Sequence, residues 1–220
     1  MNIFELLEQS NTGKDYAQGL EESIKTEHCF LYLQKIDILL NKSEIDQQKI
    51  LKKNFNSIKQ TGQLLDKLAE LLIAYKFLDQ GPKFFDDNDG KPDIYLQNNN
   101  KYIEVKRINI SDEEKEIMNY FKSNPGCMLA RDISSKLSKQ QKGEQALIKK
   151  AKEHINKAIG QLNGEGIIYL VYDVDPSNKY ANLDQREKNF ENEIEFYFNS
   201  LNLNKDFIFL ETLRGNELFK

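Results

Sequence analysis

The segment GQLLDKLAELLIAYKFLDQG, residues 62–81, constrains the fold of this chain more than any other part of its sequence. Its apolar residues recur around nearly the whole circumference of the helix that it predicts, so this helix must be covered on several sides. The pair Gly81-Pro82 is expected to end the helix, because glycine tolerates a left-handed C-cap and proline cannot continue the hydrogen-bonding pattern. The rest of the chain must therefore supply packing partners on more than one side.

The chain before this segment is predicted to be helical, and the chain after it changes to a strand-like period of two. Ser43 is a plausible N-cap for the last early helix, because its hydroxyl can accept a hydrogen bond from a free first-turn N–H. Strands are predicted in PDIYLQ, YIEVKRINI, GIIYLVYDVD and DFIFLETL, with NNNK as a hairpin-like connection between the first two. Helices are predicted at 143–162 and 184–200, with a helical insertion at about 111–140.

This order of elements predicts an α/β fold with a mixed central sheet flanked by helices. The helix at 143–162 and the strand that follows it favour a parallel crossover. We expect a helical N-terminal subdomain at 1–60 and an α/β core at 61–220 that carries the helical insertion. Appended segments often carry recognition, so the insertion could select the substrate.

Composition excludes several classes of protein. Hydrophobic residues make up 39% of the chain and charged residues 30%, which is typical of a globular protein. No apolar run approaches the ~20 residues needed to cross a bilayer, and the start MNIFELLEQS is acidic where a signal peptide is basic. A cytoplasmic location without a membrane partner is therefore expected. Two cysteines and two histidines, Cys29, Cys127, His28 and His154, make a disulfide scaffold or a structural zinc site improbable.

Charge is distributed unevenly along the chain. The net charge is −4, yet between Arg131 and Lys157 Arg131 and seven lysines outnumber three acids. A local basic patch attracts phosphate more strongly than the total charge suggests. A solvated, lysine-rich helix face explains the same pattern, so both interpretations remain open.

The stretch KPDIYLQNNNKYIEVKRI, residues 91–108, holds the residues best suited to chemistry. Asp93 precedes one strand, while Glu104 and Lys106 lie two residues apart on the next and therefore share a face. Two neighbouring carboxylates repel each other unless a cation lies between them, and Mg²⁺ commonly uses one or two carboxylates with a substrate phosphate. A lysine beside that ion can orient or deprotonate a water molecule, or offset charge in the transition state. The set is suited to metal-assisted phosphodiester hydrolysis.

The arrangement Pro92-Asp93 … Glu104-Val105-Lys106 resembles the signature of the PD-(D/E)XK nuclease superfamily, which includes many restriction and repair endonucleases. The resemblance covers roughly residues 62–175 and implies a restriction endonuclease-like fold. In that superfamily the helix before the motif often contributes another acid, and Glu70 is at the matching position on the 62–81 helix. The resemblance thus implies Mg²⁺ or Mn²⁺ held by Asp93, Glu104 and Glu70, with Lys106 acting on water.

Simpler interpretations of these acids and this lysine stay open. Glu70 could reach solvent at the edge of its helix, with Asp66 as a weaker candidate for its role. Glu104 and Lys106 could form an ordinary cross-strand surface pair. Arg107 flanks the motif, but strand alternation turns it away from Glu104.

The helix at 143–162 carries a polar row beside its apolar stripe. The row contains Lys150, His154, Lys157 and Gln161 at helical spacing. In many superfamily members the corresponding helix places a lysine or glutamine near the active centre. The resemblance therefore implies that Lys157 and Gln161, with Lys150, contact nucleic acid. An amphipathic border explains the row equally well, and His154 is expected to be a boundary histidine with satisfied hydrogen bonds.

We expect a Mg²⁺-dependent nuclease that acts on DNA in restriction, repair or defence, with a homodimer as one way of cutting both strands. The alternative is a catalytically inactive protein of the same fold that acts as an immunity, regulatory or interaction partner. A third possibility makes residues 1–60 the functional binding module and the α/β core its scaffold.

Overall fold

The computed structural model of the chain describes residues 1–23, 27–108, 133–172, 183–201, 203 and 208–214. Its helices are α1 (Ile3–Leu7), α2 (Asn11–Ser23), α3 (Glu27–Lys42), α4 (Ile45–Asn56), α5 (Thr61–Lys76), α6 (Ile133–Leu162) and α7 (Leu183–Ser200). Its strands are β1 (Pro82–Phe84), β2 (Ile94–Leu96), β3 (Lys101–Ile108), β4 (Gly166–Tyr172) and β5 (Ile208–Arg214). Most of the predicted insertion, residues 111–132, lies outside the described residues.

The strands form one mixed sheet in the order β1-β2-β3-β4-β5. The first three strands are antiparallel neighbours, and β4 and β5 add to them in parallel. The hairpin between β2 and β3 turns through residues 97–100, and α6 lies in the connection between the parallel strands β3 and β4. The predicted α/β class, mixed sheet and parallel crossover are therefore confirmed.

Each face of the sheet packs on its own group of helices, because alternate residues of a strand point to opposite sides. Ile103 and Val105 of β3 are buried with α5 and the earlier helices. Ile108 belongs to the second core, which α6 and α7 build with β4, and Tyr102 packs against that core. The predicted alternation along β3 is correct, and it directs Glu104 and Lys106 to the side of α6.

Helix α5 is buried on several sides, as its sequence predicts. Seven of its apolar residues are at most 5% exposed: Leu64, Leu68, Ala69, Leu71, Leu72, Ile73 and Ala74. The α-helix ends at Lys76, and a 3-10 turn, Leu78–Gln80, leads to Gly81. Gly81 has a left-handed φ of 65°, in agreement with the predicted stop.

The helices of residues 1–60 pack into the same core as α5 and the sheet. Ile3, Leu40 and Phe55, from α1, α3 and α4, are each at most 1% exposed within the cluster that contains Ile103 and Val105. The division into a subdomain and a core stays a prediction, since the apolar packing is continuous across residue 60. No helix in the described ranges is both long and apolar enough to span a bilayer.

Three local predictions differ from the structure. Ser43 is not an N-cap: its hydroxyl donates to the Leu39 carbonyl at the end of α3, and Glu44 is the N-cap of α4. Helix α6 begins at Ile133 rather than at residue 143, because a single glycine, Gly143, is tolerated within a segment of good helix formers. The sequence predicts no strand at residues 82–84, where the structure has the short strand β1.

Gly166, at the start of β4, is expected to be essential for the close approach of β4 to β3. A methyl group there would lie 2.5 Å from the Tyr102 carbonyl oxygen, and its φ of +147° is rarely adopted by residues with side chains. Gly166→Ala should therefore lower the free energy of unfolding by more than about 1 kcal/mol in urea denaturation.

Gly160 provides the matched control, because it lies within α6 with open space around it. Gly160→Ala should raise the free energy of unfolding by up to about 1 kcal/mol, since alanine favours the helix. Equal effects of the two substitutions would contradict the contact between β3 and β4.

Candidate active site

A cleft opens beside β3 next to the first residue of β2, where the pairing between the two described strands stops. Strand β2 pairs only with residues 101–103 of β3, and Pro92, which has no N–H to donate, lies just before it. The cleft has a volume of about 390 Å³. Its described walls come from α5, from the loop between β1 and β2, from β3 and from α6.

Asp93 and Glu104 are held together by reciprocal hydrogen bonds with the backbone. The Val105 N–H donates to Asp93 Oδ2 at 2.8 Å, and the Asp93 N–H donates to Glu104 Oε2 at 3.3 Å. Lys106 Nζ donates to the other oxygen of Glu104, Oε1. The structure therefore brings together the three motif residues that the sequence singles out.

The Glu104–Lys106 pair is not the ordinary surface pair of the simpler interpretation. The Glu104 side chain is fully buried and the Lys106 side chain is 19% exposed. A buried ion pair loses its hydration and must be compensated by its surroundings. Lys106 therefore lines the cleft, and the Glu104 carboxylate lies buried directly behind it rather than on the solvent-facing surface.

Glu70 lies on the α5 side of the same cleft and is only 8% exposed, so it does not reach solvent. Both of its carboxylate oxygens accept hydrogen bonds from Lys67 Nζ, at 3.0 and 2.9 Å. Lys67 Nζ also donates to Asp87 Oδ1 at 2.7 Å. The acid expected from the helix is thus present, and a lysine from the same helix already holds it.

Sequence reasoning missed Lys67 and Asp87. Lys67 could have been identified from the sequence, because it lies three residues before Glu70 on a helix and side chains at this spacing are neighbours. No local pattern identifies Asp87, because its position depends on a contact with α4. Asn54 of α4 is buried, donates to the Phe85 carbonyl at 2.8 Å and accepts from the Asp87 N–H at 3.2 Å.

Burial and mutual repulsion raise the pKa values of the three predicted acids. Burial and then the charge of Asp93 raise the pKa of Glu70 well above its usual range and that of Glu104 to about 7. Burial also raises the pKa of Asp93, although the charges of Lys106 and Lys67 oppose the shift. Burial disfavours the charged form of a carboxylate, and here the neighbouring lysines offset this effect only in part. The cleft is therefore an environment that favours an additional cation.

A second ion pair lies beside this cluster. Arg107 Nε donates to Asp66 Oδ1 at 2.8 Å, and Arg107 Nη2 donates to the Gly62 carbonyl at 3.1 Å. As the alternation of β3 predicts, Arg107 faces α5 rather than Glu104. Asp66 is engaged by this arginine, so its carboxylate does not share the role of Glu70.

Helix α6 contributes His154 and Lys157 to the cleft, whereas Lys150 and Gln161 are not among its described lining residues. The prediction of a satisfied histidine is wrong: in the described part of the chain, the buried Nδ1 of His154 has no hydrogen-bond partner. Burial and then the charge of Lys106 lower the pKa of His154. The lowered pKa favours the neutral imidazole, whose residue lines the cleft while its Nδ1 is buried.

The donor chemistry fits one Mg²⁺ or Mn²⁺ ion held by Asp93 and Glu104. Within the described ranges, no three His, Cys, Asp or Glu side chains are grouped so that they could hold one metal ion. Glu70 is paired with Lys67, which leaves the two adjacent carboxylates of the motif. Mg²⁺ is commonly bound by one or two carboxylates, with water and substrate phosphate completing its coordination.

No family model, no curated protein and no solved structure matches this chain. The interpretation of the cleft therefore depends on its own geometry and electrostatics.

Glu104 makes stability depend on pH in a defined direction. Its pKa rises from 4.5 in the unfolded chain to about 7 in the folded one, so the folded state retains a proton between these values. The stability from this proton is fully present below pH 4.5 and is lost as the pH rises through 7. Glu104→Gln should therefore raise the free energy of unfolding by about 1–3 kcal/mol at pH 8, with little change at pH 4.

Urea denaturation at pH 4 and pH 8 measures this difference. Glu44→Gln is the control, because the Glu44 side chain is 72% exposed in its pair with Lys83 and should change stability little at either pH. A loss of stability in Glu104→Gln at pH 8 would show that the ionised carboxylate is favoured in the fold.

Proposed function

We propose that this chain is a divalent-metal-dependent nuclease with a restriction endonuclease-like fold that hydrolyses phosphodiester bonds in DNA. The observation that carries the proposal is the hydrogen-bonded set of Asp93, Glu104 and Lys106, of which Asp93 and Lys106 line one cleft beside the start of β2. A mixed sheet between two helical layers provides the matching framework. Restriction, repair and defence are all compatible roles.

Asp93 and Glu104 would hold Mg²⁺ or Mn²⁺ through their carboxylate oxygens. A bound ion of this kind polarises the phosphodiester and lowers the pKa of a water molecule. The backbone hydrogen bonds from Val105 and Asp93 fix both carboxylates, so the ligands are already oriented before the ion binds. Preorganised ligands reduce the reorganisation that binding would otherwise require.

Lys106 would position the attacking water and offset the negative charge that grows on the phosphate. In the reaction the attacking water would give up a proton to solvent while its oxygen forms a bond to phosphorus. The bond from phosphorus to the leaving oxygen would break, and the leaving oxygen would take a proton from solvent. The hydrogen bond from Lys106 Nζ to Glu104 keeps the ammonium beside the carboxylate ligands. Its charge is therefore directed to the place where the transition state needs it.

The α6 side of the cleft would bind the nucleic-acid backbone. Lys157 lines the cleft, and Lys150 lies near enough for its charge to lower the pKa of His154. Lysines on one helix face attract phosphate without reading sequence. Gln161 would contact substrate only beyond the described lining of the cleft. A homodimer would present two such clefts and allow both strands to be cut.

Cleavage should depend on both Asp93 and Lys106. We expect the purified protein to cleave DNA with Mn²⁺ or Mg²⁺, and Asp93→Ala or Lys106→Ala to lower the cleavage rate by about 100-fold or more. The assay compares double-stranded DNA, single-stranded DNA and RNA, with and without the metal. Thermal unfolding of each variant shows whether the fold is retained.

Asp46→Ala and Lys49→Ala are matched controls for these changes. The two residues pair on α4 with side chains 84% and 71% exposed, so each control removes the same chemical group from the surface. Both controls should cleave at the wild-type rate. Wild-type cleavage by both Asp93→Ala and Lys106→Ala would refute the proposal.

Lys157 is expected to contribute one phosphate contact to DNA binding. Without divalent ions, Lys157→Ala should weaken binding and reduce the slope of log affinity against log salt concentration by about 1. Lys152→Ala is the control, since Lys152 Nζ lies 5.1 Å from the ring centre of Tyr197 on α7 and is not among the residues that line the cleft. Identical salt slopes for the two variants would contradict a phosphate contact at Lys157.

One observation favours the second candidate, a catalytically inactive protein of this fold that acts as an immunity, regulatory or interaction partner. Glu70 and Glu104 are already paired with Lys67 and Lys106, so part of the acidic charge is compensated without a metal ion. Calorimetry separates the two candidates. Mn²⁺ binding that Asp93→Ala abolishes supports the nuclease, whereas the absence of such binding supports the inactive protein.

A further inference from the structure

Lys67 has no role in the proposed chemistry, yet it lies at the centre of the acidic cluster. Its Nζ is 3.0 and 2.9 Å from the two oxygens of Glu70 and 2.7 Å from Asp87 Oδ1. The side chains of Lys67 and Glu70 are only 16% and 11% exposed. Asp93 is close enough for its charge to stabilise the Lys67 ammonium.

The contacts of the Lys67 ammonium with Glu70 and Asp87 resemble those of a buried, bound cation. They differ from those of a solvent-exposed ion pair. Distances of 2.7 to 3.0 Å are typical of charge-assisted hydrogen bonds between an ammonium and carboxylates. Exposed ion pairs contribute little, whereas a buried charge that loses its partner is strongly unfavourable. Lys67 therefore neutralises carboxylates that would otherwise need another positive charge. Burial opposes the ammonium, but the charges of Glu70 and Asp93 keep the pKa of Lys67 above its usual value.

Two-metal phosphodiesterases use carboxylates on either side of a shared ligand to hold ions about 4 Å apart. The described residues offer two sets of carboxylates: Asp93 with Glu104 on the β3 side, and Glu70 with Asp87 around Lys67 on the α5 side. The charge of Asp93 also acts on Lys67. On the α5 side the cation is the ammonium of Lys67, which belongs to the chain itself. Lys67 also reaches this side from the same helix as Glu70, so its position is set by the fold and not by ion concentration.

We propose that Lys67 is a built-in cation that occupies the place of a second divalent ion. The cleft then takes a single divalent ion, through Asp93 and Glu104, and Glu70 acts as a positioning residue for Lys67. The position of the single ion rests on the proposed function, whereas the role of Lys67 rests on its contacts with Glu70 and Asp87.

The test counts Mn²⁺ ions bound per full-length chain by isothermal titration calorimetry, with Mn²⁺ alone as the probe. Wild type should bind one ion, and Lys67→Met, which keeps the length of the side chain without its charge, should bind one more. Adding Glu70→Gln to Lys67→Met should remove the additional ion. Lys53→Met is the control for the loss of one positive charge, because Lys53 pairs with Asp86 while its own side chain is 63% exposed. Lys53→Met should bind the same number of Mn²⁺ ions per chain as wild type.

The difference in bound Mn²⁺ ions between Lys67→Met and wild type tests the role of Lys67. The number of ions bound to wild type tests the proposed function. Equal numbers for wild type and folded Lys67→Met would overturn the inference, as would an equal increase in Lys53→Met. Two ions bound to wild type would overturn the inference without a measurement on any Lys67 variant. Lys67→Gln replaces Lys67→Met in the test if Lys67→Met does not fold. No ion on wild type but one on Lys67→Met would support the role of Lys67 and count against the nuclease.

Discussion

The reciprocal hydrogen bonds between Asp93 and the 104–105 segment are the interaction on which the site depends. They take the place of backbone pairing on the N-terminal side of β2, so this strand can begin at Ile94 while β3 continues to Ile108. Each bond uses a carboxylate to satisfy a backbone N–H that would otherwise lack a partner. Two acids are thereby fixed side by side, and a cleft opens next to them.

Fixing two acids together in a buried position has an electrostatic cost that the surrounding residues reduce but do not remove. Lys106 and Lys67 each pair with a carboxylate, yet the pKa values of the acids remain raised. A fold selected for stability alone would place apolar residues here. Retaining this charge is typical of sites that bind a further cation or a charged substrate.

The parts of this structure that the sequence could predict are those determined by local periodicity. The burial of α5, the opposite faces of β3 and the meeting of Asp93 with Glu104 follow from helical spacing, strand alternation and a short hairpin. Asp87 is held at the cleft by Asn54, 33 residues earlier in the chain, and by Lys67, and no local pattern encodes these contacts. The burial of His154 Nδ1 without a hydrogen-bond partner among the described residues depends on how two layers pack, which a helical wheel does not contain.

The continuous packing of the first helices with α5 determines how the chain can be divided. A fragment that begins at residue 61 would expose to water the apolar groups that Leu40 and Phe55 now cover. Such exposed patches promote aggregation. The first helices thus contribute side chains to the shared core, and an insoluble truncation product would reveal lost packing rather than a lost binding module.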